Sequence, residues 1–361
     1  MLKTKLMDYF EKHETRLEIG FFIGGFIFDI WMLAAPDELF SIIQQVLYLL
    51  LIAGFIHFEI LFRLHRWRPQ SVILKAWPYR TLILHFLLGS LLSLYSLFYI
   101  KSASLFSSII FLLFMIGLLL ANEFPIVKRS TVSIKVGLFT ICLFSFLSIL
   151  FPLAFGYVGF FPFLGATLAT LGILYWHVHY LKKQIQDTSI VYRALLAPAF
   201  SVMAFFSLFY FLGWIPPVPL SVRNHGVYHF VEKKEGQYFL SYEKKWNSFL
   251  QDGDTEFQAQ PGDKIYYYAQ IYSPARISDE VIIHWYQKDQ RKNWVLMDKI
   301  PLKIQGGRTD GYRGFSFKTN YTPGRWKIEV RTNSGVEISR LYFQIFTAPA
   351  DPNRIFTISK K

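Results

Sequence analysis

One cysteine in 361 residues, Cys142, is all the thiol this chain has, and it lies inside an apolar run. That excludes a disulfide within the chain and every metal site built on paired cysteines. Catalytic patterns are missing as well. There is no glycine-rich phosphate loop, no nucleophile elbow and no HExxH, and no serine or cysteine stands at a recognisable spacing from a base. His177 and His179 are two residues apart, about 200° around a helix, and cannot readily share one ion. These absences point away from an enzyme, and neither a cofactor nor a metal is expected. Acidic residues are scarce, 25 against 38 Lys and Arg, for a net charge of +13. Before Leu220, however, nearly every Lys and Arg sits between apolar runs. That placement is a membrane-orientation signal, so no nucleic-acid partner is expected.

What the chain has instead is long apolar sequence. Hydrophobic residues make up 53% of it, with 37 Phe, packed into runs before Leu220 and alternating with polar residues after it. A bilayer crossing takes about 20 apolar residues. The runs Ile19 to Ala35, Phe40 to Phe62, Thr81 to Ile100, Leu105 to Ala121, Val136 to Phe155, Phe160 to Trp176 and Val191 to Trp214 predict an α-helical polytopic membrane bundle of about seven spans. The first and sixth are short, so six spans with one re-entrant segment is the alternative count. Pro36 directly after Leu33-Ala34-Ala35 argues against cleavage there, and the first run reads as an uncleaved span.

Charge alternates between the connections. Of the 16 basic residues before Leu220, 15 fall in the N-terminal tail and in the second, fourth and sixth connections. Basic connections stay in the cytoplasm, so the N-terminus is expected inside and the C-terminal region outside. Residues 1–214 are thus read as the membrane domain. Residues 215–220, Ile-Pro-Pro-Val-Pro-Leu, read as an extended, stiff linker, because three prolines cannot continue a helix.

Inside the bundle, Gly20 and Gly24, and Gly165, Ala169 and Gly172, form small-residue stripes suited to close helix approach, and Ser90, Ser93 and Ser96 suit interhelical hydrogen bonds. Ionisable groups are more telling, because charge in hydrocarbon is costly. Asp29 lies well inside the first run. His57, Glu59, His85, Asn122 and Glu123 lie toward the cytoplasmic side of several runs and form a polar pocket or proton relay if the bundle brings them together. Snorkelling and interfacial ion pairing account for the same residues without a pocket.

From about Val227 the hydrophobic period changes to two. Strands are predicted at Val227 to Val231, Gln237 to Tyr242, Lys264 to Tyr272, Val281 to Gln287, Trp294 to Asp298, Gly314 to Lys318, Trp326 to Arg331 and Ile338 to Phe346, with turn residues between them. Residues 221–361 are therefore expected to form an all-β, immunoglobulin-like sandwich. This region is rich in aromatics, including Tyr266, Tyr267, Tyr268, Trp285, Tyr286, Trp294 and Trp326. Such rings fill β cores, or stack on sugars or peptides when exposed.

The residues Gly306-Gly307-Arg308, Gly311-Tyr312-Arg313, Ser316, Lys318, Gly324-Arg325-Trp326 and Gly335, preceded by His284-Trp285, resemble a bacterial domain known only as domain of unknown function 2914. Phe98 to Ser104 and Ala121 to Phe124 resemble the polytopic region that accompanies it in a family of bacterial membrane proteins. The resemblance implies a bacterial inner-membrane protein and supplies no catalytic residues. Its glycines suit turns needing positive φ, and Trp326 suits a core anchor. Arg308, Tyr312 and Arg313 are the candidate ligand contacts of the β region, with turn or cross-strand hydrogen bonding as the alternative. The chain is expected to lie in the lipid bilayer and to present the β region to an envelope protein or glycan; the rival is a transporter or membrane enzyme working through the intramembrane polar groups.

Overall fold

A computed structural model describes residues 36–68, 70, 75, 77–128, 131–185, 191–243, 252–274, 280–303 and 311–361. The run at Ile19 to Ala35, with Asp29 and the Gly20 and Gly24 pair, lies outside them. The chain divides into two compact units. The first holds the helices through Ile215, and the second holds Pro216–Lys361 together with the short connections Lys101–Ser107 and Pro152–Phe160.

The helices of the first unit are α1 (Leu39–Arg63), α2 (Arg80–Ser102), α3 (Leu105–Glu123), α4 (Val132–Phe155), α5 (Phe160–Lys182) and α6 (Ala197–Phe211). Five helical segments are long and apolar enough to cross a membrane, α6 being counted from Tyr192, and α3 carries a shorter apolar stretch, Ser107–Asn122. The turn Tyr192–Leu196 has π geometry just ahead of Pro198. A proline lacks the N–H that would continue the regular ladder, and a widened turn absorbs the defect.

Helix α1 shows how these segments pack. Its buried positions, Ser41, Gln45, Leu49, Ile52, Ile56, Glu59 and Ile60, follow helical spacing along one stripe. The opposite side is apolar too, with Phe40, Leu47 and Leu50 exposed. Gly165 fulfils the close-packing expectation: a Cβ there would lie 2.5 Å from the ring of Phe151. Gly172 does not, since nothing comes within 4 Å of its Cβ position. Of the serine stripe, Ser90 departs from expectation. Ser90 bonds back to the Phe86 carbonyl of its own helix, and an interhelical link is made instead by Tyr99, whose hydroxyl meets Ser145 and Ser148 on α4.

The second unit contains β1 (Ser221–Tyr228), β2 (Phe230–Lys234), β3 (Gln237–Tyr242), β4 (Asp252–Gly253), β5 (Glu256–Ala259), β6 (Ile265–Tyr272), β7 (Glu280–Lys288), β8 (Trp294–Lys303), β9 (Tyr312–Lys318), β10 (Gly324–Thr332), β11 (Glu337–Thr347) and β12 (Thr357–Lys360). They form a four-stranded sheet in the order β4-β1-β6-β9, a five-stranded sheet in the order β5-β11-β10-β7-β8, and a three-stranded sheet in the order β12-β3-β2. Seven predicted strands correspond to β3 and β6 to β11; the eighth, Val227 to Val231, straddles the end of β1 and the start of β2, and β4, β5 and β12, short and polar, are additional.

The four- and five-stranded sheets face each other across a core that includes Tyr267, Ile283, Trp285, Ile328, Val330 and Phe343, all buried. Tyr267 meets Trp285 edge-on across this core, at 6.3 Å between centroids. Burying such a side chain contributes about 2–3 kcal/mol. The three-stranded sheet covers the other face of β6, where Tyr268 packs on Tyr238 and Tyr228 and, beside them, Val231 and Leu240 are buried. Alternation along a strand sends neighbours to opposite faces. Here both faces of β6 are covered, so Tyr267 and Tyr268 are both buried. At the β1–β4 pairing the backbones come so close that a Cβ on Gly226 would lie 2.4 Å from the Asp252 carbonyl oxygen, and one on Gly253 would lie 2.3 Å from that of Val227.

The linker departs from the extended form expected of it. Val218 N–H bonds to the Pro216 carbonyl and Leu220 N–H to that of Pro217, so the segment turns, and Pro216 through Leu220 are buried. Val218 and Leu220 bring apolar side chains into a segment whose prolines had suggested a solvated rod.

Candidate functional site

Among the described residues, the polar groups singled out in the sequence fall at separate places in the helical unit. Glu59, 2% exposed on α1, accepts hydrogen bonds from Lys135 Nζ on α4 at 2.8 and 3.0 Å and from Arg63 one turn along at 2.6 Å. Lys135, which reads in sequence as part of a basic connection, is a buried helical residue. His85 and Asn122, on α2 and α3, lock together: His85 Nδ1 meets Asn122 Oδ1 at 2.8 Å, and Asn122 Nδ2 donates to the His85 carbonyl at 3.1 Å. His57 Nδ1 lies 3.1 Å from His177 Nε2 on α5. His57 and Glu59 share α1 but sit two residues apart, on opposite sides of it. Glu123 ends α3, and its side chain, like all of Asp29, lies outside what is described.

In the β unit, Arg308 lies outside the described residues. Tyr312 and Arg313 are neighbours on β9 and face opposite sides of the sheet. The Arg313 guanidinium stands 5.8 Å from the Tyr238 ring centroid and its carbonyl accepts the Tyr238 hydroxyl at 3.0 Å, so it is engaged with the three-stranded sheet. Gly311, Gly324 and Gly335 all have positive φ, and Trp326 is buried with Nε1 bonded to the Thr322 carbonyl, as expected of a core anchor.

Sequence reasoning missed two constellations. The first surrounds Arg354, in the segment leading to β12. Its guanidinium donates to Glu243 Oε1 at 2.6 Å, to Asp263 Oδ2 at 2.7 Å, to His229 Nε2 at 3.1 Å and to the Gln258 carbonyl. Arg354 has only N–H donors, so His229 Nε2 accepts and the ring is neutral. Burial, with Arg354 beside it, pushes the His229 value down to about 3 against an attraction from Asp263. Burial likewise lowers His225 to about 4, against the pull of Asp252.

These shifts have a definite sign. Below the ordinary value of 6.5 the unfolded chain takes up protons that the folded one refuses until about pH 4 to 3, so stability is full above pH 6.5 and declines as pH falls. Acidifying from pH 7 to 4.5 is expected to destabilise the β unit by about 2–3 kcal/mol for each of these two histidines, roughly 5 kcal/mol together. Urea midpoints of the full chain, read by pulse proteolysis of the β unit, should fall accordingly, and less so in His229→Gln. A midpoint independent of pH over that range would contradict the assignment.

The second constellation is the outer face of the five-stranded sheet. On β10, Trp326, Ile328 and Val330 point into the core, so Lys327, Glu329 and Arg331 point outward. Glu329, 1% exposed, is bound by Lys327 at 2.6 Å, Arg331 at 2.7 Å and, across the strand pair, Arg340 at 3.2 Å. Burial raises its carboxyl value, but hydrogen bonds from Lys327 and Arg331 outweigh that and hold it below the ordinary range. Arg340 extends the network to Glu337 and to the Tyr342 hydroxyl. Rings stand over this charged floor. Lys327 Nζ lies 4.1 Å from the Tyr286 centroid and 5.2 Å from that of Trp294, and Trp294 lies 5.6 Å from Tyr342. The available signal was the alternation Lys327, Glu329, Arg331 beside Glu337 and Arg340 on the next strand. Among the described residues no cluster of three or more His, Cys, Asp or Glu side chains is placed to hold a metal ion.

Comparison with solved structures returns only weak likenesses. A β-glucosidase from Listeria innocua in complex with glucose is 13% identical over 32% of this chain and 16% of its own, with a TM-score of 0.20. The alkylpurine DNA glycosylase AlkC of Pseudomonas fluorescens, bound to DNA containing an abasic site analogue, is 9% identical over 86% of this chain and 99% of its own, with a TM-score of 0.23. No curated protein matches the chain. Residues 278–345, the stretch from β7 into β11 that builds most of the charged and aromatic face, match the family described as protein of unknown function (DUF2914).

Proposed function

We propose that this chain is a non-enzymatic inner-membrane protein of a bacterium, with about seven spans, a cytoplasmic N-terminus and an immunoglobulin-like β unit outside that binds an envelope protein or glycan. The helical unit supports the membrane part of this reading. Its helices are apolar on inward and outward sides alike, as helices in lipid are. The connections Lys101–Ser107 and Pro152–Phe160, which charge alternation puts outside, group with the β strands in one compact unit. The observation that carries the binding role is the outer face of the five-stranded sheet. Three half-buried rings, Tyr286, Trp294 and Tyr342, are fixed around a hydrogen-bonded charged floor.

The test is to place a photo-crosslinking residue at Lys299, on the exposed edge of this face, in the full chain in its membrane. A discrete adduct is expected, and Trp294→Ala with Tyr342→Ala should reduce it about tenfold, the usual scale for losing aromatic anchors. If both ring variants leave a deletion phenotype fully complemented while Glu59→Gln or His85→Ala abolishes complementation at normal protein levels, the bundle is the working part and the transporter reading replaces this one.

A further inference from the structure

The chemistry of the same face narrows its partner. We infer that the outer face of the five-stranded sheet binds an acidic glycan, a saccharide polymer carrying carboxylate or phosphate groups; this rests on the binding role proposed above and names its ligand class.

Cations dominate the face. Lys299 on β8 stands opposite His284, Lys327 and Arg331 project from β10, and Arg340 projects from β11 opposite Glu329. Three carboxylates, Glu280, Glu329 and Glu337, answer part of this charge, the last two in ion pairs that also engage Lys327, Arg331 and Arg340. Lys288, whose ammonium lies 5.6 Å from the Trp294 ring, adds another cation at the hairpin end. His284 adds none, because burial, with Arg331 and Lys299 nearby, holds its value below the ordinary range despite Glu329. A ligand complementary to this surface is therefore anionic.

The middle of the face separates a glycan from a protein. Protein interfaces deplete charge at their centres and place apolar anchors there. Here the centre is Glu329 bridged by Lys327, Arg331 and Arg340, and the apolar material, the rings with Leu296 opposite Tyr286 and the Ile282–Pro301 pair, is set around it. A sheet face with aromatic rings beside fixed cations suits a pyranose, whose C–H face stacks on a ring while its acidic groups meet the cations. The site is also rigid, since each floor residue is tied to another, so little ordering is left to oppose binding.

The experiment uses the full chain in lipid nanodiscs of zwitterionic lipid, with polygalacturonate as the acidic probe, a neutral galactan as its uncharged counterpart and polyglutamate as an acidic peptide. Polygalacturonate is expected to bind at low salt and weaken as salt rises, while the neutral galactan binds at least tenfold more weakly. Trp294→Ala, which leaves the charge unchanged, should weaken polygalacturonate about tenfold and leave polyglutamate unaffected; Trp294→Phe should restore most of it. Lys299→Gln, on the exposed edge, provides a second variant if truncation of Trp294 disturbs the sheet, and should weaken binding severalfold. Equal binding of the neutral galactan, polyglutamate binding as tight and as sensitive to Trp294, or no binding of polygalacturonate would each overturn the inference. If polygalacturonate is ignored while the crosslink near Lys299 persists, the glycan assignment fails and the binding role stands; if both are absent, the binding role itself fails.

Discussion

Replacing Arg354 with alanine is expected to destabilise the β unit by about 3 kcal/mol, lowering its unfolding temperature by roughly 10 °C. The guanidinium is 10% exposed and satisfies Glu243, Asp263, His229 and the Gln258 carbonyl at once. Its removal leaves two partly buried carboxylates facing each other without a cation, and a buried imidazole without its donor. Arg354 also positions the strap that carries β12, which pairs with β3 from Thr357↔Tyr242 to Lys360↔Phe239. Hydrogen exchange on the full chain should therefore quicken first in β12 and β3. Arg354→Lys should recover only a small part, because one ammonium cannot reproduce a planar fork with four acceptors. Unchanged protection in β12 would show that the strand pairing holds the strap by itself.

The second large effect lies in the helical unit. Glu59→Leu removes the carboxylate and leaves Lys135 charged at 3% side-chain exposure, which is expected to destabilise the bundle by about 3–5 kcal/mol. Lys135→Met should do the same in the opposite sense, somewhat moderated by Arg63, which keeps Glu59 partly paired. The double variant should be more stable than either single one, since no buried charge is left over, and the coupling measured by the cycle should be several kcal/mol. Thermal unfolding in detergent measures this directly. The same variants separate the two functional readings. If the double variant complements a deletion, the pair is a structural clasp. If it folds normally and does not complement, Glu59 and Lys135 carry a function of their own, and the intramembrane groups become the working part of the protein.

Much of the architecture was legible from residues alone because its cause is local. The apolar runs from Phe40 onward matched the helices α1 to α6, since a run of that length needs no partner to be recognised. Strand β3 was placed at Gln237–Tyr242 as observed, because alternation and flanking turn residues are properties of the segment itself. Strands β4, β5 and β12, for which no strand was predicted, are short or polar, and β4 and β5 pair in parallel with strands far along the chain. Their existence depends on a neighbour rather than on their own pattern. The Pro216–Leu220 turn failed for the opposite reason: its prolines announced rigidity, while its burial came from surroundings no local pattern reports.

The sites divide along the same line. That Glu59, His85 and Asn122 are unusual in an apolar run was plain from composition, but which residue answers each was decided by helix packing, and for Glu59 it was a lysine read as part of a connection. The Arg354 cluster draws on residues from stretches separated by roughly a hundred positions, as Glu243 and Arg354 are. The charged and aromatic face needed strand register to bring Lys327, Tyr286, Trp294 and Tyr342 to one side. Sequence by itself determined the two-part organisation, the apolar helices and the β periodicity, because hydrophobic spacing acts within a segment. Tertiary structure alone decided which charges are paired and which rings share a surface, because Coulomb attraction, hydrogen bonding and ring contact act through space between segments the chain order keeps apart.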